Sequence, residues 1–247
     1  VPAPEANAGP APTRSGRAGG LGRFVGAAAA QARAETAEQA QRRQREAARR
    51  CELCADPTGE EHAHVVDVQG SRLLCTCRPC AMLFTRPDAA GGRYRTVPDR
   101  VLADDTGGPH PGEWDSLQIP VGVAFFLRRS GSDDVDAFYP SPAGATQSLL
   151  DLAAWERLRA VCPVIDQAQP DVEAVLIRRG QDVMEIFVVP VDLCYELVGM
   201  LRLRWKGFDG GQQARDGLAE FFSRLRARAR PYPAPSENAA SSGGDDG

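Results

Sequence analysis

Two cysteine pairs, Cys51-Glu-Leu-Cys54 and Cys77-Arg-Pro-Cys80, are separated by 22 residues, and a fifth cysteine, Cys75, stands just ahead of the second pair. A Cys-x-x-Cys segment can close a tight turn that aims both thiolates at one centre, and four such soft ligands are the set tetrahedral zinc prefers. The spacer is slightly longer than the roughly 15–20 residues usual for a two-knuckle site, an excess that a longer hairpin absorbs. Cys51, Cys54, Cys77 and Cys80 are therefore the candidate metal ligands, with zinc as the expected cofactor. Iron in the same four thiolates is the alternative, because sequence does not separate the two tetrahedral metals.

Three further residues crowd this segment. His62 and His64 are two apart and share one face of an extended chain, as do Cys75 and Cys77. Cys75, His62 and His64 are secondary candidates, as a replacement ligand, as groups behind the ligands, or together as a second site. Read without function, both imidazoles are surface residues near a polar turn. A thiol–disulfide role expects Cys-x-x-Cys at a helix start beside a parallel sheet, a context the sequence does not suggest here. Cys162 and Cys194 fall at helical positions in apolar surroundings and read as small core residues.

Other chemistries find little support. The third histidine, His110, lies between Pro109 and Pro111, and no serine sits in a Gly-x-Ser-x-Gly elbow. The run Tyr139-Pro-Ser-Pro-Ala-Gly-Ala-Thr146 reads as a strand-to-helix connection whose amides offer an anion site only if the turn is more than a cap. Gly207, Gly210 and Gly211 mark another turn, but no Lys-Ser/Thr follows as a P-loop requires.

The elements that must position the cysteines are a hairpin, Val65 to Val68 and Arg72 to Thr76 around Gln69-Gly70-Ser71, from which the second pair follows directly. Arg93 to Val97 predicts a short strand. Farther on, Pro120 to Arg129 and Val135 to Tyr139 read as strands, followed by a helix capped near Ser148 that aligns Leu150, Ala154, Leu158 and Val161. The order recurs with strands at Val172 to Arg179 and Met184 to Val189 and a helix from about Asp192 to Trp205. An offset of 50 residues matches Pro120 with Pro170, Ala124 with Ala174, Arg128-Arg129 with Arg178-Arg179, Pro140 with Pro190 and Trp155 with Trp205, which predicts a tandem strand-strand-helix repeat. A closing helix is expected over Gln213 to Arg230, with Arg224, Arg226, Arg228 and Arg230 complementing the negative end of its dipole.

The predicted fold class is α+β: a zinc-ribbon-like module, then an antiparallel sheet covered by helices from the two repeats. The organisation follows as residues 1–23 disordered, 24–50 a polar helical arm, 51–92 the cysteine module, 93–230 the α+β domain and 231–247 a disordered tail. The arm is rich in Ala, Gln, Glu and Arg without a wide apolar stripe, so it reads as solvated. Its arginines Arg42, Arg43, Arg45, Arg49 and Arg50 are the candidate partner-binding residues.

The 247 residues carry a net charge of −4, which argues against a surface given over to nucleic acid or anionic lipid. Arginine is abundant but lysine is not: Lys206 is alone among 29 basic residues, as GC-rich coding produces. No stretch reaches the roughly 18 apolar residues of a membrane span. Arg14, Arg17 and Arg23 only loosely imitate a signal peptide ahead of an alanine-rich patch. Seven cysteines in metal spacing fit a reducing cytoplasm.

Several phrases occur in a fixed order: Cys-Glu-Leu-Cys at 51, Glu-His-Ala-His at 61, Leu-Cys-Thr-Cys-Arg-Pro-Cys at 74, Gly-Gly-Arg-Tyr-Arg at 91, Ile-Pro-Val-Gly-Val-Ala-Phe-Phe at 119, Tyr-Pro-Ser-Pro-Ala-Gly-Ala-Thr at 139 and Cys-Tyr-Glu-Leu-Val-Gly at 194. From Cys51 to about Leu225 the chain resembles an uncharacterised bacterial family whose genes lie beside those of high-affinity nickel-iron hydrogenases. The resemblance implies an accessory or assembly protein working with a hydrogenase subunit or maturation factor, and it carries over no catalytic residue. The expectation is a non-enzymatic zinc-binding accessory protein. Its alternatives are an iron-binding redox or metal-delivery protein and a nucleic-acid-binding zinc-ribbon regulator.

Overall fold

The computed structural model describes residues 50–105, 111–132, 134–180, 184–207 and 210–232. The start expected to be disordered, the expected arm with Arg42, Arg43, Arg45 and Arg49, His110, and the expected tail beyond Tyr232 lie outside the described residues. From Arg50 onward the chain forms one compact unit, of class α+β with antiparallel pairing in both of its sheets.

The cysteine-bearing part, here the ribbon, is built on the expected hairpin. Strands β1 (Ala63–Asp67) and β2 (Arg72–Thr76) pair antiparallel with His64 opposite Cys75 and Val65 opposite Leu74. The turn is held from within: the Asp67 carboxylate accepts the Gly70 N–H and a two-pronged contact from Arg93. Helix α1 (Arg78–Met82) starts as β2 ends, with Cys77 at its N-cap and Pro79 in its first turn, where a missing N–H costs nothing. Strand β3 (Tyr94–Thr96) was expected between ribbon and body, and it pairs with β1 on the side away from β2. One hairpin has too little apolar surface to stand alone, and a third strand helps to close it.

The body is a seven-stranded sheet in the order β10-β4-β9-β8-β5-β6-β7. Its strands are β4 (Leu102–Asp104), β5 (Val123–Arg128), β6 (Val135–Ser141), β7 (Gly144–Ser148), β8 (Glu173–Arg179), β9 (Met184–Pro190) and β10 (Arg230–Tyr232). Neighbours run antiparallel except β10, which lies parallel to β4 and draws Pro231 and Tyr232 out of the expected tail. The central strands are buried on both faces, which is why they read as unbroken apolar runs rather than alternating ones. On one face Phe126, Val175, Ile177, Ile186 and Val188 pack with Trp155 and Leu158 of α3 (Leu152–Val161) and with Trp114 of α2 (Pro111–Ser116). On the other face Phe125, Leu176, Phe187 and Val189 meet Leu197 and Leu201 of α4 (Val191–Arg204) and Phe221 and Phe222 of α5 (Gly211–Arg228).

The 50-residue offset survives in the strands and fails in the helices. Phe125 pairs with Phe138, and their counterparts Val175 and Val188 pair likewise; Ala124 pairs with Ile177 and Ala174 with Leu127. The sheet centre is thus related to itself by an approximate two-fold between β5 and β8. The first unit, however, contains a third strand. Tyr139 to Thr146 is not a strand-to-helix connection but the β6–β7 hairpin, turning at Pro142-Ala143. Ser148 ends β7, and the cap of α3 is Asp151, whose carboxylate accepts the N–H groups of Ala153 and Ala154. Leu150 precedes that helix and Val161 is exposed, so Ala154, Trp155 and Leu158 form its buried face. Trp155 is a core residue, whereas Trp205 caps the end of α4. The arginines of α5 reach for carboxylates rather than only for its dipole: Arg224 pairs with Glu196, Arg226 with Glu185 and Arg228 with Asp99, while Arg230 has left the helix for β10.

Ribbon and body are joined through polar and apolar contacts. Val66 packs with Val172 and Val191. From β3, Arg95 donates to the Pro170 carbonyl at 2.8 Å and lies 3.6 Å from the Asp171 carboxylate. Arg100, in the connection to β4, holds the fully buried Glu173 with both prongs at 2.6 and 2.8 Å and also donates to the Gln167 carbonyl. Burying Glu173 without that partner would cost several kcal/mol, on the order of an uncompensated ion.

Candidate metal centre

The first knuckle is a turn over residues 51–56, closed by Cys51 N–H to the Asp56 carbonyl and Ala55 N–H to the Cys51 carbonyl, each at 2.8 Å. The second is the start of α1, where Cys77 and Cys80 are one turn apart and the Ala81 N–H donates to the Cys77 carbonyl. Glu52 ties the knuckles together: its N–H donates to the Cys75 carbonyl at 2.9 Å, and its carboxylate accepts the Cys75 N–H at 2.6 Å.

The four sulfurs of Cys51, Cys54, Cys77 and Cys80 all lie within 4.8 Å of one another, and Cys54 Sγ is 3.6 Å from Cys77 Sγ. Tetrahedral zinc with bonds of about 2.3 Å sets sulfurs about 3.8 Å apart. The donor set and its spacing therefore fit a four-coordinate metal ion. Cys51 is buried and Cys54 exposed, so the site opens on one side to solvent. The seven cysteines form no disulfide.

Electrostatics divides the four thiols. Burial pushes the Cys51 thiol up, but the backbone N–H groups of Cys77, Cys54 and Leu53 favour its thiolate and bring it down to about 6. Cys80 is pushed up, first by its hydrogen bond with the Cys77 thiol, then by that with Cys54 and by partial desolvation. Cys54 is also raised: the Asp56 N–H favours its thiolate, but partial desolvation and the Cys51 sulfur outweigh it. A metal ion bound here would replace these protons and relieve the crowding of like charge.

Cys75 does not join this group. β2 ends at Thr76, so Cys77 leaves the strand and the expected common face of Cys75 and Cys77 is broken. Cys75 gathers instead with His62 and His64, one ligand atom from each lying within 4.8 Å of the others. The His64 Nδ1–H donates to Asp192 Oδ2 at 2.8 Å, across the contact with the body. Asp192 was not anticipated. As an acidic residue in the first turn of α4 it reads locally as a dipole partner, and nothing within reach in sequence ties it to a histidine 128 residues away.

Arg50 is engaged at the first knuckle, donating to the Ala55 carbonyl at 3.0 Å. Cys77-x-x-Cys80 does sit at a helix start, contrary to expectation, but beside an antiparallel sheet. Cys162 and Cys194 are core residues whose burial pushes their thiols up, Cys162 to about 12 with the charges of Asp104 and Glu113 adding to it. A cavity of about 380 Å³ separates ribbon from body, lined by Val68 and Leu73 on one side, Phe125 and Val198 on the other, with Arg129 and Arg202 among its polar groups. Among the described residues no helix is long and apolar enough to cross a membrane.

Fold and site together define an α+β protein with a four-cysteine knuckle module set on a sheet covered on both faces. The chain belongs to the family of unknown function DUF5947, whose profile matches residues 50–229 and so spans both ribbon and body. No curated protein and no solved structure matches it.

Proposed function

We propose that the chain is a non-enzymatic accessory protein whose four thiolates hold zinc as a structural staple, and that it acts in the cytoplasm with a nickel-iron hydrogenase or its assembly. The gathering of Cys51, Cys54, Cys77 and Cys80 at tetrahedral spacing carries the first half of this reading. Four protein ligands fill a zinc ion's coordination and leave no position for substrate, which is the arrangement of structural rather than catalytic sites. The partner half is supported by the resemblance of the phrases from Cys51 to Leu225 to the family encoded beside such hydrogenases. The cavity between ribbon and body, with its apolar walls and two arginines, offers a surface for a protein segment.

The test is isolation of the tagged full chain from its native cell under anaerobic conditions, with proteins that accompany it identified and then separated before metal analysis. The expected result is a colourless chain with stoichiometric zinc at the four cysteines, accompanied by a hydrogenase subunit or maturation factor. Visible colour with iron in place of zinc would transfer the reading to the redox or metal-delivery alternative. Absence of every hydrogenase-system protein from the isolate would remove the partner assignment. Salt-sensitive binding of nucleic acid by the purified chain would favour the regulator, with Arg42 to Arg50 as its footprint.

A further inference from the structure

We infer that His62, His64 and Cys75 form a second metal site, for a divalent transition ion of the zinc class, distinct from the four-thiolate staple and keeping one coordination position open. The hairpin register sets His64 of β1 directly opposite Cys75 of β2, and His62 stands in the connection immediately before β1. One ligand atom from each lies within 4.8 Å of the others, and the two imidazole centroids are 4.7 Å apart. Zinc bonds of about 2.0–2.3 Å require ligand separations of about 3.3–3.6 Å, a closure of about 1 Å that side-chain rotation supplies.

The hydrogen bonds select which nitrogens are available. His64 Nδ1 is committed to Asp192, and Asp192 is itself held by the Leu193 N–H at 2.9 Å on its other oxygen. A carboxylate behind an imidazole fixes ring orientation, puts the proton on the near nitrogen and leaves the lone pair on the far one, which is how histidine ligands are usually prepared. His62 is prepared in the same sense by backbone: its Nδ1 faces the carbonyls of Gly59 and Glu60 at 3.2 and 3.0 Å, which accept only if that nitrogen carries the proton. The lone pair then falls on Nε2, an atom that is buried and has no hydrogen-bond partner. A buried acceptor without a donor is unusual in a folded chain and calls for a ligand.

Two imidazoles and a thiolate select zinc-like ions over magnesium or calcium, which take oxygen ligands. Three protein ligands leave the fourth position to water or to a donor atom brought by a partner, as in sites that exchange ligands. All three residues are partly exposed, so such a donor has access. Asp192 makes the site depend on the contact between ribbon and body, and it is a positioning residue rather than a ligand.

This inference stands on residues other than the four-thiolate ligands, so the two can fail separately. The experiment is titration of the chelator-stripped full chain with cobalt(II), followed by optical spectra and metal analysis. The expected wild-type result is two equivalents. Cys75→Ala and His64→Gln should each bind one, with the four-thiolate charge-transfer bands retained, whereas Cys54→Ser should lose those bands. Asp192→Asn should weaken the second equivalent about 10–100-fold while still reaching two at saturation. A single equivalent in the wild type overturns the site, and so does retention of both equivalents by Cys75→Ala or His64→Gln. Should those variants not fold, the wild-type imidazole ¹⁵N resonances decide: the second equivalent of zinc must shift those of His62 and His64, and unchanged resonances overturn the proposal.

Discussion

In the ribbon, three short strands and a five-residue helix bury Cys51, Val65, Leu74 and Ala81, with Thr58 and Thr76 among them. The sheet of the body buries large side chains on both faces, among them Trp155 and Phe126 stacked at 4.6 Å on one side and Phe221 and Phe222 on the other. At roughly 25 cal/mol per Å² of apolar surface, the body can hold itself by burial, whereas so small a ribbon core cannot offset the entropy of ordering its own chain. The comparison gives a physical reason for the four candidate metal ligands to lie in the ribbon and the two inert cysteines, Cys162 and Cys194, in the body. Where burial is insufficient, metal coordination is one way a small module is held.

The largest effect that sharpens this contrast is loss of the staple. Chelation, or Cys77→Ser, should unfold the ribbon, since structural zinc contributes on the order of 10 kcal/mol or more to small modules. Hydrogen exchange should show β1, β2 and β3 unprotected while β5, β8 and β9 stay protected. Equal loss of protection in both regions would mean that the body depends on the metal too.

Trp155→Ala should do the reverse, costing about 3–5 kcal/mol of body stability through the cavity it leaves while metal content stays unchanged, as read by denaturant unfolding with metal analysis. Glu173→Ala should cost about 3 kcal/mol by stranding Arg100 beside a buried void, the partial exposure of Arg100 keeping the figure at the low end of the range for broken buried pairs. Because Arg100 lies between β3 and β4, this variant should loosen the ribbon on the body, seen as faster exchange at residues 94–104.

Protons give a finer test of the staple. With Cys51 near 6, its thiol is already ionised at pH 7.5, so zinc entering the four-thiolate site of a Cys75→Ala chain should release no more than about three protons, measured by calorimetry in buffers of different ionisation enthalpy. Affinity should rise with pH, because the raised thiols of Cys54 and Cys80 must lose theirs. The smallest effect is expected at Asp67, whose carboxyl is held below its ordinary 3.8 by the hydrogen bond from Arg93. A depressed carboxyl contributes its stability above the unfolded value and loses it as pH falls through the folded one. Asp67→Asn should therefore lower the ribbon's melting point slightly at neutral pH, and the difference from wild type should shrink as pH falls below the carboxyl's ordinary 3.8.

Much of this is written locally. The Cys-x-x-Cys spacing, the turn at Gln69-Gly70-Ser71, and the strands around Phe125, Leu176 and Phe187 each depend on a few neighbouring residues whose pattern has one physical reading. The strand pairing even keeps the 50-residue offset that the sequence displays. The sequence places the cap of the helix after the first pair of strands near Ser148 rather than at Asp151, and does not disclose β7, because Gly144 to Ser148 carries small and polar residues suited to a turn and becomes a strand only because β6 offers it an open edge.

The sequence by itself determined four candidate soft ligands, the hairpin that presents the second pair and an α+β body beyond. Tertiary structure alone decided that Cys75 sides with the histidines rather than with Cys77, that β3 closes the ribbon, and that Asp192 stands behind His64. Those outcomes depend on pairing and packing between residues up to 128 positions apart. Many weak contacts settle such pairings together, and no local pattern records their sum.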